Sequence, residues 1–107
     1  MKLITAIVNK EDAKNVNGEL IRAGYAVTRL STTGGFLLAG NVTMLIGTEE
    51  ENVDDCIRII SEHSRQRTEI LPSTSGYGVS VATAVPLEVT VGGATIFVTD
   101  VERFEKF

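Results

Sequence analysis

Residues 2–8 (KLITAIV) are aliphatic and β-branched without Gly or Pro, and they run directly into an amphipathic helix pattern. Such a run suits a strand buried on both faces near the middle of a sheet. Asn9 ends it and doubles as a helix N-cap; Glu11 and Asp12 follow in the first turn, where carboxylates complement the dipole. Ala13, Val16, Leu20 and Ala23 then recur at helical spacing, and Gly24 is placed to close the helix. A strand joined this tightly to a one-sided helix must share its core with that helix, so the chain is committed to an α/β layer from its first 24 residues.

The pattern continues in the same style. Residues 25–33 set Val27, Arg29 and Ser31 against Ala26, Thr28 and Leu30, reading as a strand with one polar side. Residues 34–40 (GGFLLAG) form a glycine-bounded loop, and 41–48 (NVTMLIGT) resume strand character, so the two runs predict a hairpin. Glu49, Glu50, Glu51, Asp54 and Asp55 crowd the start of a second helix with Val53, Cys56, Ile57 and Ile60 on its apolar side, fading at residues 65–67. Residues 67–86 predict a long loop, most of it the Ser/Thr/Gly-rich stretch PSTSGYGVSVATAV, and irregular segments of that length usually carry function or disorder. Residues 87–91 and 94–99 alternate about Gly92-Gly93, the strongest hairpin signal in the chain. The last eight residues predict one or two helical turns with Val101 and Phe104 on one face.

This order is an α+β, ferredoxin-like βαββαβ arrangement, with an extra C-terminal strand and a short terminal helix. With 107 residues the chain holds one domain, 1–107, whose core is large enough to fold but too small for a deep internal site. Both helices fall on one face of the sheet. The other face, largely aliphatic and threonine, would expose a sheet-sized apolar patch, which predicts homo-oligomerisation through it.

Composition excludes several functions. Ten Lys+Arg against 14 Asp+Glu give a net charge of -4, which opposes the phosphate attraction behind polynucleotide binding. One cysteine makes no internal disulfide and, with one histidine, no usual zinc set, so a reducing compartment is expected. The short apolar N-terminal run is broken by Thr5 and Asn9, and no segment approaches the roughly 18 apolar residues of a membrane span. A cytoplasmic protein is expected.

Catalytic readings are thin. His63 reads as a solvated helix histidine and Cys56, seven residues earlier, as a small core thiol. The acidic run 49–55 suits a helix start and lacks calcium-loop spacing. No triad can be assembled, and residues 34–40 lack the Lys-Ser/Thr pair of a P-loop. The residues predict neither an enzyme nor a cofactor.

The informative stretch is 28–47. Gly34 and Gly35 leave backbone amides approachable beside the hydroxyls of Thr32 and Thr33, an arrangement able to hold an anionic oxygen. Phe36-Leu37 at a loop tip either anchors a subunit interface or awaits a flat partner such as a nucleobase. Asn41 either reads an adenine-type edge or caps the turn, and Arg29 either neutralises a phosphate or is an ordinary exposed strand residue.

Residues 28–37 (TRLSTTGGFL), Gly40-Asn41 and Gly47 resemble the hallmark of the PII-like cyclic di-AMP receptor family. The opening MKLI and residues 89–98 (VTVGGATIFV) are similar too, so the resemblance spans nearly the whole chain in one register. It implies a non-catalytic signalling protein, a homotrimer with three pockets for cyclic di-AMP between neighbouring subunits. It also implies a long loop before the last strands that rearranges or contacts a partner protein. Carried over by position, the pocket would use Thr28, Gly35, Phe36, Leu37, Asn41, Gly47 and Phe97. Phe36, Leu37 and Phe97 would shield adenine or sugar, Asn41 would read polar edges, and Thr28 with amides near Gly35 and Gly47 would meet phosphate or ribose oxygens.

Three departures stand out. Gly24-Tyr25-Ala26 occupies the place of the family's Asn-aromatic-Arg, Lys106 that of a penultimate glutamine, and Val42 that of a threonine. Losing the arginine removes a charge-assisted contact of a class worth roughly 1.5 to 3 kcal/mol, which Lys106 or Arg29 would have to restore. The alternative is an interaction module of the same fold that binds another adenine nucleotide or no small molecule, and grips a partner protein.

Overall fold

The structure, a computed structural model, describes residues 1–30, 40–71 and 87–107. Strand β1 (Lys2–Asn9) is central, with Ile4, Ala6 and Val8 fully buried, while Leu3, Thr5 and Ile7 on its other side stay partly exposed. The expected burial on both faces is thus corrected to one, because the helices cover only one side of the sheet. Helix α1 (Lys10–Arg22) starts where the Asn9 side chain accepts the Glu11 N–H at 2.9 Å. It ends in a Schellman turn: Tyr25 N–H donates to the Leu20 carbonyl at 3.0 Å and Gly24 N–H to that of Ile21 at 2.9 Å. Gly24 supplies the positive φ of +97° that this ending needs.

Strand β2 (Val27–Leu30) pairs antiparallel with β3 (Asn41–Thr48), as the hairpin expectation required; residues 31–39 lie outside the described residues. One 3-10 turn (Glu50–Asn52) leads into α2 (Val53–Glu62). Cys56, Ile59 and Ile60 are buried as the apolar face of α2. The helix stops before the expected 65–67, where Ser64 turns the chain: its hydroxyl donates to the Ile60 carbonyl and its own carbonyl accepts the Gly93 N–H.

Beyond α2 the structure corrects the sequence reading in three places. Residues 67–71, expected as loop, form strand β4 (Arg67–Leu71), which pairs antiparallel with β5 (Leu87–Val91) as a separate two-stranded ribbon; residues 72–86 lie outside the described residues. Strand β6 (Ala94–Asp100) pairs with β1 and not with β5, so Gly92-Gly93 is a corner between two sheets and not a hairpin turn. The free edge of β1 offers β6 a seven-residue ladder, and β4 offers β5 its own. No helix forms after β6; residues 101–107 are irregular.

The main sheet has order β2-β3-β1-β6 with every neighbour antiparallel. That is the ferredoxin-like strand order, closed by β6 as its fourth strand. Against it pack α1 and α2, giving a core of Ile4, Ala6, Val8, Ala13, Val16, Leu20, Met44, Ile46, Cys56, Ile59 and Ile60. Each fully buried Ile or Leu contributes about 1.5 to 3 kcal/mol. The register puts Leu3, Thr5, Ile7, Thr28, Leu30, Leu45 and Phe97 on the opposite face, where Leu30 and Phe97 are exposed.

Candidate ligand-binding site

The open face ends in a cleft of about 540 Å³ lined by Met1, Leu3, Ala26, Thr28, Leu45, Gly47, Val101, Phe104, Glu105 and Lys106. Its size lies in the range of small-molecule sites. The sheet supplies the floor: Leu3 sits opposite Gly47, and Leu45 opposite Thr28, by strict alternation along β1, β2 and β3. A side chain at position 47 would have open space around it, so glycine leaves that part of the floor as bare backbone. The irregular C-terminal tail supplies the facing wall.

That wall is fixed at its root. Val101 N–H donates to the Met1 carbonyl at 3.1 Å, and Lys2 pairs with Asp100. The hydrogen bond between them raises the pKa of Lys2 and lowers that of Asp100. Farther along, Arg103 meets the Glu105 carboxylate at 2.6 Å. Apolar residues (Met1, Leu3, Leu45, Val101, Phe104) and polar ones (Thr28, the bare backbone at Gly47, Glu105, Lys106) therefore share one cavity. A ligand with a flat apolar part and an anionic part fits such a lining.

Of the residues expected at the site, Thr28, Gly47 and Lys106 come together in this cleft, with Ala26 beside them. Arg29 does not join them: it lies opposite the buried Met44, on the face of the sheet away from Thr28. Asn41 lines a second, polar cleft of about 360 Å³ with Ile7, Gln66, Gly92, Gly93, Ala94 and Thr95. Six steps along β3 lead from Asn41 to Gly47, about 20 Å of extended chain. Phe97 stands on the β6 edge, 55% exposed, three strand spacings from Thr28, roughly 14 Å. Gly35, Phe36 and Leu37 lie outside the described residues.

Of the tail, sequence reasoning named Lys106 for the site but not Val101, Phe104 or Glu105; Val101 and Phe104 were legible as an apolar pair, on helical turns that do not form. Among the described residues, no three His, Cys, Asp or Glu side chains cluster as a metal site. Cys56 is buried, and burial pushes its thiol pKa up; His63 caps α2 beside Glu19, Arg22, Arg58 and Glu62 in a groove between the helices. Among the described residues no helix is long and apolar enough to cross a membrane.

The chain is 42% identical to a functionally unknown protein from Pediococcus pentosaceus ATCC 25745 whose crystal structure superposes with a TM-score of 0.75, over 99% of this chain and 96% of that one. The sequence model of the cyclic-di-AMP receptor family matches residues 1–107, the entire chain, and the protein accordingly belongs to the cyclic-di-AMP receptor family.

Proposed function

We propose that the protein is a non-catalytic, PII-like signalling receptor of the cytoplasm that binds cyclic di-AMP between the subunits of a homotrimer. The observation that carries this reading is the convergence of Thr28, Gly47 and Lys106 on one cleft of mixed apolar and polar lining, in a chain of this family. The Lys106 ammonium meets a phosphate, the Thr28 hydroxyl and the bare backbone at Gly47 meet phosphate or ribose oxygens, and the apolar walls take the adenine.

Spacing supports a shared pocket. One molecule that touches Thr28 and Gly47 on one subunit and an asparagine and two aromatics elsewhere cannot draw all of them from one sheet, given about 20 Å between Asn41 and Gly47. A neighbouring subunit then brings Asn41, with Gly35, Phe36 and Leu37 of its glycine-bounded loop, and Phe97 contributes from the sheet edge. The open face, with Leu30 and Phe97 exposed, offers the apolar area for that assembly.

Ala26 in the cleft favours the second reading, a module for another adenine nucleotide or for a partner protein alone, because a small apolar side chain lines the place where an anion needs charge. Calorimetry against cyclic di-AMP, ATP, AMP and cyclic di-GMP, with light scattering for the assembly, separates the two. Binding of cyclic di-AMP at one ligand per subunit by a trimer is expected; no heat at high micromolar ligand refutes the first reading. Hydrolysis of the nucleotide refutes the non-catalytic one.

A further inference from the structure

Phe104 is the one aromatic side chain among the described lining of the 540 Å³ cleft, and 62% of its surface is exposed. A large apolar ring on the wall of a cleft and left this open has room for a packing partner. Its immediate surroundings define what that partner is. Leu3 and Leu45 line the floor of the same cleft, Ala26 and Gly47 line it without bulky side chains, and Lys106 lies two residues farther along the tail. Glu105 between them would repel an anion, but its carboxylate is engaged by Arg103 at 2.6 Å. The tail thus offers a flat ring and an ammonium-bearing residue to one cleft, which matches a nucleobase joined to a phosphate better than a bare anion or a purely apolar ligand.

We infer that Phe104 is the base-stacking side chain of this cleft, one ring face against the adenine, so that the C-terminal tail and not the sheet alone recognises the ligand. This rests on the reading of the cleft as an adenine-nucleotide site. Because the ring is exposed and the tail is rooted at Val101, truncating it leaves the core untouched. The effect of substitution is therefore expected on binding and not on the fold.

The test uses the full chain. Phe104→Ala should weaken cyclic di-AMP binding about 5- to 150-fold by calorimetry, the range of one base–aromatic stack, with the oligomer and the thermal midpoint unchanged. The chain has no tryptophan, so Phe104→Trp places the sole indole in the wall, and its fluorescence should be quenched by saturating cyclic di-AMP. Unchanged affinity in Phe104→Ala, or unquenched emission in Phe104→Trp, overturns the inference while leaving cyclic di-AMP binding intact. Loss of the oligomer in Phe104→Ala overturns it too, making the ring an interface anchor. If the wild type binds ATP or AMP in place of cyclic di-AMP, the functional reading fails, and Phe104 is judged by the same two variants on that nucleotide. If no adenine nucleotide binds, both fall.

Discussion

The Arg67 guanidinium of β4 straddles the Asp12 carboxylate in the first turn of α1, with N···O distances of 3.1 and 3.3 Å, and Asp12 is only 7% exposed. The same guanidinium donates to the Arg65 carbonyl at 3.3 Å and lies 3.7 Å from Glu11. It ties the root of the β4–β5 ribbon to the helical layer, next to the cleft that holds Asn41. Arg67→Met strips a nearly buried carboxylate of its cation and should cost about 1 to 2 kcal/mol, a drop of roughly 4 to 15 °C in thermal midpoint for a domain this size. Hydrogen exchange should speed up in the ribbon while β1 stays protected; uniform exchange across both would show that the pair anchors nothing locally.

Gly92 and Gly24 test the corner between the two sheets. Both have positive φ, +83° and +97°, yet a Cβ on Gly92 would lie 2.5 Å from the Arg65 carbonyl oxygen and 2.8 Å from Arg67 Nη1, whereas one on Gly24 meets nothing within 4 Å. Gly24→Ala should therefore cost about 1 kcal/mol, the strain of the left-handed backbone. Gly92→Ala adds a backbone clash and should cost at least about twice that. Equal losses in urea unfolding would show that the corner relaxes freely.

Tyr25 and Asp55 join the end of α1 to the start of α2. The Tyr25 hydroxyl donates to Asp55 at 2.6 Å and Arg58 donates to its other oxygen at 2.8 Å, and both hold the Asp55 carboxyl below the usual carboxylate range. The Asp55 bond, with burial behind it, pushes the Tyr25 pKa well up. A depressed carboxyl stabilises the fold above its unfolded pKa of about 3.9 and stops doing so as pH falls through its folded value; a raised phenol stabilises below about 10 and stops as pH rises further. Wild type should thus exceed Tyr25→Phe in stability by a constant margin from pH 5 to 9, narrowing below about 4 and above about 10. Parallel profiles across the whole range would remove this bond from the account.

Lys106 and Ala26 line one cleft, so charge can be moved between them. Lys106→Gln should weaken cyclic di-AMP binding about tenfold to a hundredfold, as loss of one charge-assisted contact does, and flatten its salt dependence. Adding Ala26→Arg to that variant should recover most of the affinity. A double variant as weak as Lys106→Gln in calorimetry would mean that position 26 does not face the phosphate.

Much of this architecture was legible because it is local. The Asn9 cap, the Gly24 ending, the buried stripe of Ala13, Val16 and Leu20 and the antiparallel pairing of β2 with β3 follow from side-chain periodicity and turn chemistry within a few residues. Thr28, Gly47 and Lys106 are legible only through the family resemblance, and they line one cleft. The errors fall where a segment chooses between distant partners. Alternation about Gly92-Gly93 predicts two strands but not which edge each will take, and β6 went to β1 while β5 went to β4.

The sequence by itself determined the order β1-α1-β2-β3-α2, the buried stripe of α1, and the family. Only the tertiary structure decided that residues 101–107 lie as an irregular wall against the open sheet face, that Arg29 turns away from Thr28, and that Asn41 and Gly47 are about 20 Å apart. The physical reason is that periodicity encodes which side of an element is apolar, whereas the partner of that side is set by which long-range ladder and which tail contact bury the most surface in the assembled chain.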